Sequence, residues 1–335
     1  MATYVAAVAG VLFLPDLWMK IVCGVVAGIK ICNLVTVAHD AAHGSLTRSA
    51  ALNRAIAIVS FTPGLFNYRL WLYDHHQLHH PMTNGSHRDS WKPYSKEEFD
   101  SFSKWRQWRE MFYRMPNLVG LGIYYIEVRW LAVKLFPRGF MPRRIHASAW
   151  RYFAGLMVYL VAFLALLAAA PLYSSTGTVM ALTLGFVVPF YVWLTLISFT
   201  LYVHHTHPRV PWFDRPVERR TVAPQEALTV HLRLPRQLST FMHNVYDHSV
   251  HHLQPMIPCY RLPEAQARLI ELLGDRVVSS TFTFGWFIDT MRRCKLYDFE
   301  KHCWVDFDGR PTSDITIAVP APVDESEESA IAAAS

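Results

Sequence analysis

Two stretches of this chain, Tyr152 to Ala170 and Val179 to Val203, run for 19 and 25 residues without a charged side chain. Each is long enough to cross the ~30 Å hydrocarbon layer of a bilayer as one helix, which pairs every backbone N–H and C=O within the segment. The polar turn Ser174-Ser175-Thr176-Gly177-Thr178 joins them, so the pair predicts a transmembrane hairpin. Pro189 is the one interruption. A chain of 335 residues that is 52% hydrophobic fits a membrane protein better than a soluble domain.

A second apolar pair runs from Ala2 to Leu14 and from about Leu17 to Ala38, with Pro15-Asp16 as the turn. Its first arm of 13 residues falls short of the ~17 needed to span, so it either dips in obliquely or starts upstream of Met1. Lys30 lies inside the second arm with Asn33 and is expected to snorkel to the interface. No basic segment precedes the first apolar run, so a cleaved signal is not expected. Ala50–Phe66 and Leu118–Phe136 read as helices lying at the interface, the latter because Glu127, Arg129 and Lys134 break its apolar run. Trp71, Tyr73, Trp105, Trp108, Trp130 and Trp150 flank the apolar segments, where amphipathic rings prefer to sit.

Orientation follows from the basic residues. Fifteen Lys and Arg fall between His39 and Trp150, whereas the Ser174–Thr178 turn has none. Both turns are therefore expected to face outward and the intervening loops the cytoplasm. This asymmetry accounts for the net charge of +6 without a nucleic-acid partner. Five cysteines without a CxxC pair predict neither a disulfide framework nor a thiolate metal site. Residues 1–319 read as one membrane domain. The acidic Ser- and Ala-rich tail, 320–335, is expected to be disordered.

The chemistry lies in the histidines. His39-Asp40-Ala41-Ala42-His43 is an HxxxH segment, and His76-Gln77-Leu78-His79-His80 and His248-Ser249-Val250-His251-His252 are HxxHH segments. Residues i, i+3 and i+4 share one face of an α-helix, so these boxes offer two, three and three imidazoles to a common point. A chain with this many histidines should contain only about 0.04 HxxHH segments by chance, so two are a strong signal and one HxxxH a weak one. Eight converging neutral imidazoles suit a polynuclear site of borderline metals, most plausibly iron. A fourth cluster, His204-His205-Thr206-His207, follows the last apolar run directly. Asp40, Asp89 and Asp247 are candidates to orient ligating imidazoles through their second ring nitrogen.

HDAAHGS at His39, HHQLHHPMTNGSHRD from His75 to Asp89, YVHHTHPRVP from Tyr202 to Pro211 and HNVYDHSVHH from His243 to His252 resemble the histidine boxes of integral-membrane fatty acid desaturases. The likeness is to the acyl-lipid Δ12/ω-type branch and its bacterial relatives, over roughly residues 20–310. It implies an all-α integral membrane protein of about four transmembrane helices in two hairpins, with a cytoplasmic helical cap around a histidine-ligated di-iron site. Carried over by position, the metal ligands and catalytic site are His39, His43, His76, His79, His80, His248, His251 and His252, with His205 as a ninth. His204 departs from the family pattern, in which Gln is frequent. The resemblance implies two iron ions, O2 as co-substrate, a fatty acyl lipid substrate and an external ferredoxin-type or cytochrome b5-type electron donor. A bacterial inner membrane is the expected location. The same centre could instead hydroxylate, ketolate or form an acetylenic bond. A metal transporter would need ionisable ligands within its spans, and the two clearest spans have none.

Overall fold

The structure, a computed structural model, describes residues 1–85, 89–138, 141–214 and 223–317; the acidic tail lies outside the described residues. Three helices are long and apolar enough to cross a membrane: Leu17–His43, Arg143–Ala168 and Thr178–His205. The first and second are α2 and α8. The third consists of α9 (Thr178–Leu182), a π turn (Thr183–Val187) and α10 (Val188–His205). The expected first arm is α1 (Ala2–Phe13), a helix of only 12 residues packed on α2. Among the described residues, three helices are thus of membrane-crossing length and hydropathy, where about four crossings were expected.

The π turn has a local cause. Pro189 has no N–H to donate and its ring would crowd the carbonyl four residues back, and a turn that pairs i with i+5 relieves both. The bundle centre is α2 against α10, and two glycines set that contact. A Cβ at Gly24 would stand 2.7 Å from the Leu184 carbonyl oxygen, and one at Gly28 would stand 2.6 Å from that of Pro189. Gly24-x-x-x-Gly28 thus lets two helices approach backbone to backbone, the small-residue packing of membrane helices. Gly28→Leu should therefore destabilise the protein by about 1–3 kcal/mol through overpacking. Gly155 of α8 has nothing within 4 Å of an added Cβ, so Gly155→Ala is the matched control. Thermal unfolding in detergent should separate the two, and equal behaviour would show that the α2–α10 contact is not close-packed.

At the turn end, the buried Lys20 ammonium donates to the Thr176 hydroxyl, which donates to Leu12 O at 2.7 Å, so one polar knot ties α1, α2 and the hairpin turn. Lys30 reaches toward the helix Arg236–Phe241. Its ammonium sits 4.3 Å from the Phe241 ring, and Asn33 donates to Phe241 O at 2.7 Å, so the polar residues of α2 hold the helix Arg236–Phe241 against it.

Leu118–Leu135 is helical as expected, with its second half, Tyr125–Leu135, in π geometry. Its charges do not all face water. Glu127 is exposed, but Arg129 and Lys134 are buried and both reach Asp74, Arg129 at 3.0 Å. The chain is mostly helical, as expected, with a small β component. Among the described residues, four three-residue strands form two pairs in the carboxyl-terminal third: His231–Arg233 parallel to Ser279–Thr281, and Leu296–Asp298 antiparallel to Cys303–Val305. These segments are too short for a period-two pattern to register in sequence.

Candidate metal centre

The boxes sit where helices end. α2 carries His39 and His43 in its last turn and stops at Gly44, whose φ of +78° closes the helix with N–H bonds to Ala41 O and Asp40 O. α10 ends on His204 and His205. The third box is its own short helix, His248–Leu253, and the second lies on a π turn, Tyr73–His79, that continues the helix Tyr68–Leu72. π turns recur at functional sites because they re-aim side chains at little cost to the rest of the helix.

These four elements bring nine imidazoles into two adjoining groups. One comprises His39, His43, His75, His80 and His251, and the other His79, His205, His248 and His252; within each, one nitrogen per ring lies within 4.8 Å of every other. In the first, His75 Nε2 is 3.0 Å from both His43 Nε2 and His80 Nε2. In the second, His248 Nε2 is 3.0 Å from His252 Nε2 and 3.2 Å from His205 Nε2. The groups adjoin through His80 and His252, whose rings stack at 4.5 Å.

Eight of the nine sequence-expected ligands fall in these groups. His76 does not: its ring lies 4.3 Å from that of His43, and its buried Nε2 has no hydrogen-bond partner among the described residues. His75, absent from the sequence expectation, takes the place in the first group. The signal was present as a doubled His75-His76, but the α-helical period excludes His75. His204 stacks on His248 at 3.7 Å with both nitrogens buried and unpartnered, outside either group. His207 is committed to a turn, accepting from Arg209 N–H at 3.0 Å and lying 3.2 Å from the Ser280 hydroxyl. His87 lies outside the described residues.

The second ring nitrogens are held as a metal site requires. His39 Nδ1 donates to Asp40 Oδ1 at 3.1 Å, and His79 Nδ1 to Asp89 Oδ1 at 2.9 Å. His205 Nδ1 faces Leu228 O at 3.4 Å, which leaves Nε2 as the free donor. Asp40 does more, because its Oδ2 accepts from Cys259 N–H at 2.7 Å and so clamps the segment after the third box to the first. Asp247, the third candidate, lies 3.2 Å from His231, which belongs to no box.

Electrostatics fits the donor set. Burial, reinforced by neighbouring imidazoles, pushes His75, His79, His248, His251 and His252 well below the ordinary range, His76 down to about 4 and His80 to about 3. All are neutral at pH 7, the form that offers a lone pair. Buried Nε2 atoms 3.0 Å apart repel unless a cation or a proton lies between them, and His251 Nε2 is buried with no protein partner among the described residues. Imidazoles without thiolates, backed by carboxylates, suit iron and related divalent metals.

A cavity of about 510 Å3 opens between α1, α8 and the Val59–Pro63 segment, lined by Tyr4, Val8, Leu12, Tyr159 and Phe163 among others. No boxed histidine lines it.

A family model described as fatty acid desaturase matches residues 15–284. The chain is 26% identical over 287 residues to the chloroplastic omega-6 fatty acid desaturase of Brassica napus, covering 84% of this chain and 60% of that protein. It is 27% identical over 300 residues to the sn-1 oleoyl-lipid 12-desaturase of Synechocystis sp., covering 87% and 79%, and 26% over 316 residues to that of Picosynechococcus sp., covering 90% and 84%. The chain thus spans about 60% of the length of the chloroplastic relatives it matches.

Proposed function

We infer what this chain does from the family it belongs to: it is a member of the fatty acid desaturase family, and we propose that it desaturates a fatty acyl chain of a membrane lipid. The observation that carries this is the pair of adjoining imidazole groups, buried and neutral, gathered at the ends of two membrane-length helices, α2 and α10. His79, His205, His248 and His252 would hold one iron. His39, His43, His80 and His251, with one imidazole from the His75–His76 pair, would hold the other. When bound, two irons with O2 and two electrons supply the oxidant that removes hydrogen from an unactivated C–H bond.

The protein's own part is position and exclusion of water. Asp40 and Asp89 hold the His39 and His79 rings in the tautomer that leaves Nε2 free. Trp71 stacks against His75 at 4.3 Å and meets His39 edge-on at 5.5 Å, so an apolar wall closes this side of the site. Electrons would come from a separate ferredoxin-type or cytochrome b5-type donor on the cytoplasmic side of a bacterial inner membrane. A fourth crossing, if present, would involve α1.

Expression in a host of simple fatty-acid profile should yield lipids two hydrogens lighter, and the purified protein should hold about two irons per chain with little zinc. Mass spectrometry of total lipids and metal analysis read the two independently. Products one oxygen heavier would reassign the reaction to hydroxylation, and a single tightly held zinc would sink the di-iron site.

A further inference from the structure

We infer that Thr83 is a positioning residue of the metal centre: its hydroxyl accepts from Nδ1 of His252 and so holds that ring with Nε2 turned to the metal. This rests on the metal-centre reading above and concerns only what sets one ring. For His39 and His79 a carboxylate accepts from Nδ1, and for His205 a backbone carbonyl faces it. For His252 the partner is a neutral hydroxyl. Its Nδ1 lies 3.2 Å from Thr83 Oγ1, while its Nε2 points into the second group, 3.0 Å from His248 Nε2. Thr83 follows the second box by three residues and is fully buried, so this contact ties the second box to the third.

The surrounding hydrogen bonds fix the direction of this contact. The Gln225 side-chain nitrogen lies 3.1 Å from His80 O and 3.0 Å from Thr83 Oγ1, and a carbonyl only accepts, so the amide presents its NH2 and not its oxygen here. That nitrogen is also 3.1 Å from His252 Nδ1, but it has no lone pair to receive the imidazole proton. The Thr83 hydroxyl gives its single hydrogen to the box backbone, where His79 O lies at 2.9 Å and His80 O at 3.1 Å, and keeps two lone pairs. One accepts from Gln225, and the other from His252 Nδ1–H. His252 is thus held in the tautomer whose Nε2 lone pair is free for a cation. The turn that carries Thr83 is anchored independently, because Asn84, at a φ of +58°, donates to Pro211 O at 3.1 Å and to Leu228 O at 2.9 Å. Leu228 O is the carbonyl that His205 Nδ1 faces, so two consecutive residues after the second box each support a ligand from another element.

The test uses the purified, iron-loaded full chain and reads metal directly. Thr83→Val keeps the side-chain shape and removes the acceptor, and it should weaken binding of the second group's iron by about 10–100-fold. A chelator challenge that leaves two irons in the wild type should then leave about one, with one Mössbauer doublet altered and the other kept. Thr83→Ser, which keeps the hydroxyl and loses the methyl, should match the wild type in both readouts. A packing role for Thr83 would give the opposite order, so iron kept in Thr83→Val or lost in Thr83→Ser overturns the inference. Loss in Gln225→Leu with none in Thr83→Val overturns it too, by moving the orienting contact to the amide. If Thr83→Val does not fold, Thr83→Cys takes its place with the same expected loss, because a thiol still donates weakly to His79 O but is a poor acceptor for Nδ1–H. A wild type without two irons sinks the metal-centre reading itself, whereas two irons in both the wild type and Thr83→Val sink this assignment alone.

Discussion

Alanine at His205 is expected to cut lipid product by at least on the order of a hundredfold and to leave about one iron per chain, while His204→Gln keeps most of both. The two neighbours differ in what their rings are free to do. His205 has Nδ1 turned to Leu228 O and Nε2 pointed at His248, whereas His204 lies flat on His248 with 23° between planes, as a packing surface. Glutamine's planar amide can fill that stacked position without a lone pair toward the second group. Product analysis and metal content on the same preparations decide the matter. An active His205→Ala paired with a dead His204→Gln would move the ligand one residue back and invert the geometry at the end of α10.

The second large effect is one of stability. Asp74→Ala should lower stability by about 3–5 kcal/mol, because it strands the buried Arg129 and Lys134 cations without the carboxylate that both reach. Burial already draws Lys134 below its usual range against the pull of Asp74, so removing that pull leaves the desolvation penalty and the repulsion of Arg129 less compensated. The readout is the apparent melting temperature in detergent, with Asp308→Ala as the control, since Asp308 pairs with Arg310 at the exposed surface. A melting shift no larger than that of the control would mean that the Asp74 cluster is hydrated and contributes little.

The membrane segments and the boxes were legible because each rests on a strong local pattern. Tyr152–Ala170 and Val179–Val203 needed only the absence of charge; the first overlaps the long helix Arg143–Ala168 but runs two residues past its end, and the second falls within Thr178–His205. HxxHH at His248 needed only the α-helical period, and the structure supplies that helix. The second box has the same spelling on a π turn, and nothing in residues 73–79 announces the extra residue per turn, so the convergence of His75 with His43 and His80 had no signal in the sequence. The burial of Arg129 and Lys134 had no signal in the sequence because their partner, Asp74, lies more than fifty residues away. Asp40 was a candidate to orient a ligating imidazole, but its bond to Cys259 N–H joins residues 219 apart and has no sequence signature. What periodicity encodes was readable, and what long-range pairing encodes was not.

Helix length sets how far a substrate must travel. α2 has 27 residues, a rod of about 40 Å against a hydrocarbon layer of ~30 Å, so its last turn, with His39 and His43, stands roughly 10 Å beyond the apolar layer even when the outer end is flush with it. On the proposed function, an acyl chain that reaches those histidines would have to be lifted out of the oil, and each methylene set free in water would cost about 0.8 kcal/mol. Aromatic walls are what make such a climb feasible. Phe61, Phe66, Trp71, Tyr125 and Trp193 are all buried along this part of the bundle, in ring-to-ring contact from Trp71 through Phe61 and Phe66 to Trp193 and Tyr125. On the proposed function, these rings would carry an apolar lining up to the level of the imidazoles, so that the substrate would stay in an apolar medium while the chemistry stands outside the membrane.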